Sequence, residues 1–126
     1  MEMIIGGVYQ GKENYARKNF PNITWKKGSE LTKEELYQAE GILGFHDYIK
    51  RFLKEGKDLS GLAQELLEKN PNVVLVSEEV GYGIVPADAF ERRYRETVGR
   101  ICTELAAGSS KVTRVVCGIG MVLKNA

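Results

Sequence analysis

Val73-Val74-Leu75-Val76 is a run of four apolar, mostly β-branched residues, followed at once by Ser77-Glu78-Glu79-Val80-Gly81-Tyr82-Gly83-Ile84-Val85-Pro86. A run this short, bounded by turn residues, predicts a strand buried on both faces. Such strands belong to open α/β sheets, whose ligands bind outside the carboxyl ends of the strands. Acids placed there sit where chemistry is usually done. Gly81 and Gly83 allow close approach to a ligand or a positive φ, and Pro86 suits the first turn of a following helix. Two surface acids at a solvated strand end would have the same local appearance, so the rest of the chain must decide.

Length and charge narrow the class. At 126 residues the chain is expected to form a single domain, 1–126. The net charge of +1 and the absence of a basic run point away from nucleic acid. No apolar stretch is long enough to span a membrane, and the opening Met1-Glu2-Met3-Ile4-Ile5-Gly6-Gly7 lacks the features of a secretory leader. A cytoplasmic location is expected. Cys102 and Cys117 lie in periodic segments and read as small core residues in a reducing compartment.

The order of elements is α/β. Met3–Ile5 reads as a strand, Gly6–Lys12 as a glycine-rich turn, and Glu13–Phe20 as a helix stopped by Pro21. Ile23–Trp25 reads as a brief strand. Thr32 and Glu35 form a capping box for a helix, and Ile42-Leu43 is a small apolar step. Phe45, Ile49, Phe52 and Leu53 make a helical stripe. Leu62, Leu66 and Leu67 mark another helix behind Asp58 and Ser60. Phe90, Tyr94, Val98, Ile101 and Leu105 recur at helical spacing, and Lys111–Leu123 reads as one last strand. Alternation of this kind predicts a three-layer, mostly parallel sheet with helices on both faces.

The first turn carries a second motif. Gly6-Gly7-Val8-Tyr9-Gln10-Gly11-Lys12 fits G-x-x-x-x-G-K between a strand and a helix, the setting of a phosphate-binding P-loop. Backbone N–H groups there converge on phosphate oxygens and the lysine reaches the outer phosphates. The next position should be Ser or Thr to ligate magnesium, but it is Glu13. Two like charges about 4 Å apart repel by roughly 4 kcal/mol at an effective dielectric near 20, although a metal bridging Glu13 and phosphate would reverse that sign. An ordinary glycine turn remains the plain alternative.

Taken together, Ile4–Lys12, Glu79-Val80-Gly81-Tyr82-Gly83-Ile84-Val85-Pro86, Arg92, Tyr94, Arg95, Gly99, Arg100, Leu105-Ala106 and Val115–Ile119 resemble the adenosylcobinamide kinase/adenosylcobinamide-phosphate guanylyltransferase family of cobalamin biosynthesis. The resemblance is close from about Val73 to Leu123 and at the loop, and poor from about Phe20 to Leu67. It implies a RecA-like P-loop fold of reduced size, ATP or GTP with Mg2+, a corrinoid whose hydroxyl is phosphorylated, and GMP transfer through a guanylylated histidine. It also implies a closed homo-oligomer, a trimer for preference, for which the Phe90–Tyr94 helix and the apolar last strand are candidate interfaces.

The departures are informative. The chain is short for the family between the loop helix and the Val73 strand, where the family's reactive histidine lies. Trp25 and Glu30 match a later pair, Glu40 is the nearest counterpart of an acid at the next strand end, and Cys102-Thr103 stands where the family has a polar pair. The candidate roles are therefore Lys12 on phosphates, Glu40 or Glu79 for the metal or the attacking hydroxyl, and Glu13 with Glu40 as metal ligands. His46, the one histidine, is the sole possible nucleotidyl acceptor. It is equally a helix-start residue at the core's edge, and helical geometry turns Asp47 about 100° away from it. Arg92 and Arg95 admit a phosphate contact, an intersubunit role, or a solvated face shared with Glu91 and Glu96. Two functional classes stay open: a nucleotide-dependent enzyme of corrinoid salvage, and a shortened relative that binds nucleotide or corrinoid, or only self-associates.

Overall fold

The computed structural model describes residues 1–79 and 88–126. The chain runs β1 (Glu2–Gly6), α1 (Lys12–Asn19), β2 (Trp25–Lys27), α2 (Lys33–Leu36), β3 (Gly41–Leu43), α3 (Phe45–Lys54), α4 (Leu62–Lys69), β4 (Val74–Glu78), α5 (Ala89–Gly108), β5 (Lys111–Val116) and β6 (Ile119–Asn125). One six-stranded sheet has the order β2-β3-β4-β1-β5-β6. Its first five strands are parallel, and only β6 runs the other way, paired to β5.

Helices cover both faces because successive side chains of each strand point to opposite sides. Met3, Ile42, Leu75 and Val112 face α3, α4 and α5, joining Phe45, Tyr48, Ile49, Leu66, Val98, Ile101 and Leu105 in the larger core. Ile4, Leu43, Val74, Val76 and Val115 face α1 and enclose Ala16, with Tyr15, Phe20, Ile23 and Trp25 at the margin. Fully burying a Leu or Ile side chain stabilises by roughly 1.5–3 kcal/mol, so the α3–α5 face holds most of the fold's hydrophobic stabilisation. No helix among the described residues is long and apolar enough to cross a membrane.

Several sequence expectations are corrected. The C-terminal apolar segment is a hairpin rather than one strand: Cys117 (φ 52°) and Gly118 (φ 76°) take left-handed conformations and reverse the chain in two residues. Two consecutive positive φ values match the hairpin turn whose twist suits flanking strands. Cys117 is therefore exposed in a turn, whereas Cys102 packs at the edge of the larger core. The second strand lies two residues later than Ile23–Trp25, because Trp25 rather than Ile23 pairs with Gly41. The Thr32 capping box forms, yet α2 stops after one turn. Helix α5 is capped by Asp88, whose carboxylate accepts the Glu91 N–H at 2.9 Å. Pro86, Gly81 and Gly83 lie outside the described residues.

Candidate functional site

Parallel pairing brings the carboxyl ends of β1, β3 and β4 to one edge of the sheet, with Gly6 opposite Glu78 and Leu43 opposite Val76. The loop from Gly7 to Gly11 leaves β1 at that edge. Tyr9 (φ 61°) and Gly11 (φ 83°) are left-handed and Gln10 between them is not. Alternation of this kind turns successive N–H groups toward one point and makes a concave anion receptor. Helix α1 starts immediately afterwards with Gly11 at its cap, adding the first-turn N–H groups, which have no partner within the helix. Lys12 Nζ turns back and donates to the Gly7 carbonyl at 3.3 Å. Gly6 is needed for packing, since a Cβ there would lie 2.8 Å from the Val115 carbonyl oxygen.

The cleft beside the loop has a volume of about 390 Å3 and is lined by Val8, Tyr9, Gly11, Lys12, Glu13, Asn14, Gly44, His46, Asp47 and Glu78. Among the described residues of that lining, Lys12 is the only Lys or Arg, against the carboxylates of Glu13, Asp47 and Glu78. His46 reaches the cleft because Gly44 (φ 69°) turns the chain sharply from β3 into α3. Its Nδ1 accepts the Glu78 backbone N–H at 2.9 Å. Its Nε2 lies 3.7 Å from Asp47 Oδ1 and 3.8 Å from Glu78 Oε2. Those two separations are too long for hydrogen bonds. Burial holds the imidazole below its ordinary pKa, against the opposing pull of Asp47 and Glu78. With Nδ1 accepting, the neutral ring carries its proton on Nε2 and its lone pair is committed to Glu78.

The predicted site residues separate accordingly. Lys12, Glu13, His46 and the loop residues Val8, Tyr9 and Gly11 converge on the cleft. Glu79 does not: its carboxylate meets Arg114 Nε at 3.0 Å on the α5 side of the sheet, while its N–H donates to the Gly6 carbonyl at 2.8 Å. Glu40 precedes β3 at the opposite end of the strands, where its Oε1 accepts the Thr24 N–H at 3.2 Å. That position removes it from any role with Glu13. Glu30 is exposed in the loop after β2, and Arg92 and Arg95, on the early turns of α5, do not line the cleft. Asp47, turned away on helical geometry, nonetheless lies beside His46.

Glu78, Asp47 and Asn14 were missed as site residues. The pleat could have found Glu78: counting by twos from Val74 and Val76 puts it on the α1 face with the loop, and puts Glu79 on the other. Among the described residues no group of three or more His, Cys, Asp or Glu side chains is close enough to hold a metal. Magnesium characteristically takes one or two carboxylates and completes its shell with phosphate oxygens and water, so hard oxygen donors at Glu13, Asp47 and Glu78 fit it only beside a bound phosphate chain.

A family model described as cobinamide kinase / cobinamide phosphate guanyltransferase matches residues 49–123. Two proteins named bifunctional adenosylcobalamin biosynthesis protein CobU, from Escherichia coli strain K12 and Salmonella typhimurium strain LT2, are each 48% identical to this chain over 52 residues. That segment is 41% of this chain and 29% of each relative. The bifunctional adenosylcobalamin biosynthesis protein CobP of Pseudomonas aeruginosa strain PAO1 is 38% identical over 53 residues, 42% of this chain and 31% of its own length. The matched segments thus span under a third of these relatives. The family match starts after His46 and Asp47, so the glycine loop stands on its own geometry.

Proposed function

Because the chain belongs to the cobinamide kinase / cobinamide phosphate guanyltransferase family, we propose that it is a nucleotide-binding protein of cobalamin biosynthesis, with a P-loop of the RecA-like kind between β1 and α1. One observation carries the nucleotide reading: left-handed Tyr9 and Gly11 flank Gln10, and Lys12 follows at the head of α1. A phosphate chain fits that receptor, with N–H donors around it and Lys12 in reach. ATP or GTP is the ligand class. Magnesium would be held by Glu13 or Glu78 together with phosphate oxygens, and would supply positive charge in a cleft that otherwise repels the ligand. A corrinoid hydroxyl is the proposed acceptor, and phosphoryl transfer of the kinase type the proposed reaction.

Thermal-shift and calorimetric titration with ATP and GTP should show a magnesium-dependent signal that Lys12→Ala abolishes. A melting curve unmoved by millimolar nucleotide sinks the reading.

A second reading, a binding protein without guanylyl transfer, has its own support. A histidine nucleophile attacks through its unprotonated nitrogen, and His46 spends that lone pair on the Glu78 N–H. Incubation with labelled GTP and magnesium should leave no acid-labile, base-stable label on the protein. Label that vanishes in His46→Asn means that the ring turns over and serves as acceptor.

Self-association, with a trimer favoured, belongs to the same proposal. Tyr94 is spent in the chain's own core, and Phe90 packs against it, so the interface is moved from that helix to β6. This edge strand exposes Ile119, Met121, Val122 and Leu123. Its one charged side chain, Lys124, turns back to the Ala106 and Ala107 carbonyls instead of guarding the edge.

A further inference from the structure

The phosphate loop is anchored at two places. At its start, the Glu79 N–H donates to the Gly6 carbonyl at 2.8 Å. At its end, two hydrogen bonds arrive from the β5–β6 turn. The Cys117 N–H donates to Gln10 Oε1 at 2.7 Å, and the Gly118 N–H donates to the Gln10 carbonyl at 2.8 Å. The next residue is pressed on the same turn, since a Cβ on Gly11 would lie 3.3 Å from Gly118 Cα. Between the two anchors, Tyr9 is held at φ 61° with its ring 98% exposed. A bulky residue at positive φ is unfavourable unless its surroundings impose it. The ring's own packing imposes nothing, so the anchors must.

We propose that Gln10 is a positioning residue of the nucleotide site, tying the phosphate loop to the Cys117-Gly118 turn so that the β5–β6 hairpin holds the anion receptor open. The proposal rests on the nucleotide reading above and extends it to a hairpin that lies outside the cleft. The turn is suited to this work. Its two left-handed residues put consecutive N–H groups on one side, and Gln10 answers both, one with its side chain and one with its carbonyl. Without the side-chain bond the loop keeps its sequence and its lysine but samples forms in which Tyr9 relaxes and the N–H groups diverge. Binding must then reorder the loop, and that ordering cost appears as lost affinity. The Cys117 N–H, in an exposed turn, regains water as its partner, so the fold itself is little affected.

Gln10→Met keeps the side chain's length and removes the acceptor. Affinity for ATP, GTP and magnesium pyrophosphate should fall about tenfold, the effect of losing one such hydrogen bond's worth of preorganisation. The melting temperature of the unliganded protein should hardly move, while amide exchange at Cys117 and through Val8–Gly11 should speed up. Cys117→Asn retains both amide donors and favours the left-handed turn, so it should bind as tightly as the unaltered protein or more so. Unchanged affinity and exchange in Gln10→Met overturn the proposal. Weakening by Cys117→Asn equal to that of Gln10→Met also overturns it, since the side chain at 117 would then be responsible. If the unaltered protein binds neither nucleotide nor pyrophosphate, the nucleotide reading fails, and exchange alone judges the tie: unchanged Cys117 and loop exchange in Gln10→Met rejects it.

Discussion

The loop lies between two flanks that treat it differently. On the β5 side it meets a hairpin turn that offers backbone N–H groups and no charge, and Gln10 accepts both. On the β4 side it faces His46, Asp47 and Glu78 across an open cleft. The first flank determines shape, and the second determines what charge the shape will tolerate. A P-loop outline in sequence describes the first and says little about the second, which comes from residues more than thirty positions downstream in other elements.

The largest expected effect tests the acidic flank. Glu78→Gln and Glu13→Ser each remove a carboxylate from the cleft that would receive phosphate. Like charges a few ångströms apart cost about 1 kcal/mol in water and several times that at lower effective dielectric. Roughly tenfold tighter nucleotide binding without magnesium is expected for each, and Glu78→Gln should act more strongly because Glu78 is mostly buried. With magnesium the gain should shrink, since the carboxylate lost is then a candidate ligand. Equal or weaker affinity without magnesium would mean that these acids do not face the phosphates.

A moderate effect concerns pH and bears on the same flank. Burial depresses the His46 pKa below the ordinary value of 6.5. Below that value the unfolded chain takes up a proton that the folded ring refuses, so the unfolded state binds more protons and stability falls as the pH drops. Above about 6.5 the penalty disappears. The window runs from there down to the folded ring's own pKa, and below it the protonated ring can no longer accept the Glu78 N–H. His46→Asn keeps an acceptor near Nδ1 without the titration. Its denaturant midpoint should lose less between pH 7 and pH 5 than that of the unaltered protein.

Much of the framework was legible because it depends on local pattern. Val73–Val76 announces β4, the capping box announces α2, and the Leu and aromatic spacing announces α3, α4 and α5. What escaped depends on pairing. Glu78 and Glu79 are adjacent acids in sequence, and only the pleat and the sheet order send one to the loop and the other to Arg114. Glu40 looked like a strand-end acid until the register placed it at the amino end of β3. The Cys117-Gly118 turn was hidden inside an apolar run because Cys at a left-handed position carries no familiar turn signal, unlike Asn or Asp. His46 stands out in sequence as the one histidine, but its hydrogen bond to a strand 32 residues away belongs to tertiary structure alone.

The smallest expected effect bears on the backbone of the loop that the two flanks share. Tyr9 holds φ 61° with almost no burial of its ring. A non-glycine residue in that region costs about 1–2 kcal/mol, and glycine would remove the cost while adding roughly 0.5–1 kcal/mol of unfolded-state entropy. Tyr9→Gly should therefore stabilise the protein by about 0.5–1 kcal/mol in chemical denaturation. Gly11→Ala should do the reverse, since it meets positive φ and the close Gly118 backbone together. Opposite signs at two loop positions with the same backbone hand would show that the hairpin side shapes the loop and that Tyr9 bears the strain. A loss of stability in Tyr9→Gly would mean that the ring packs on something that its exposure conceals, and the strain would then have to be sought in the β4 flank.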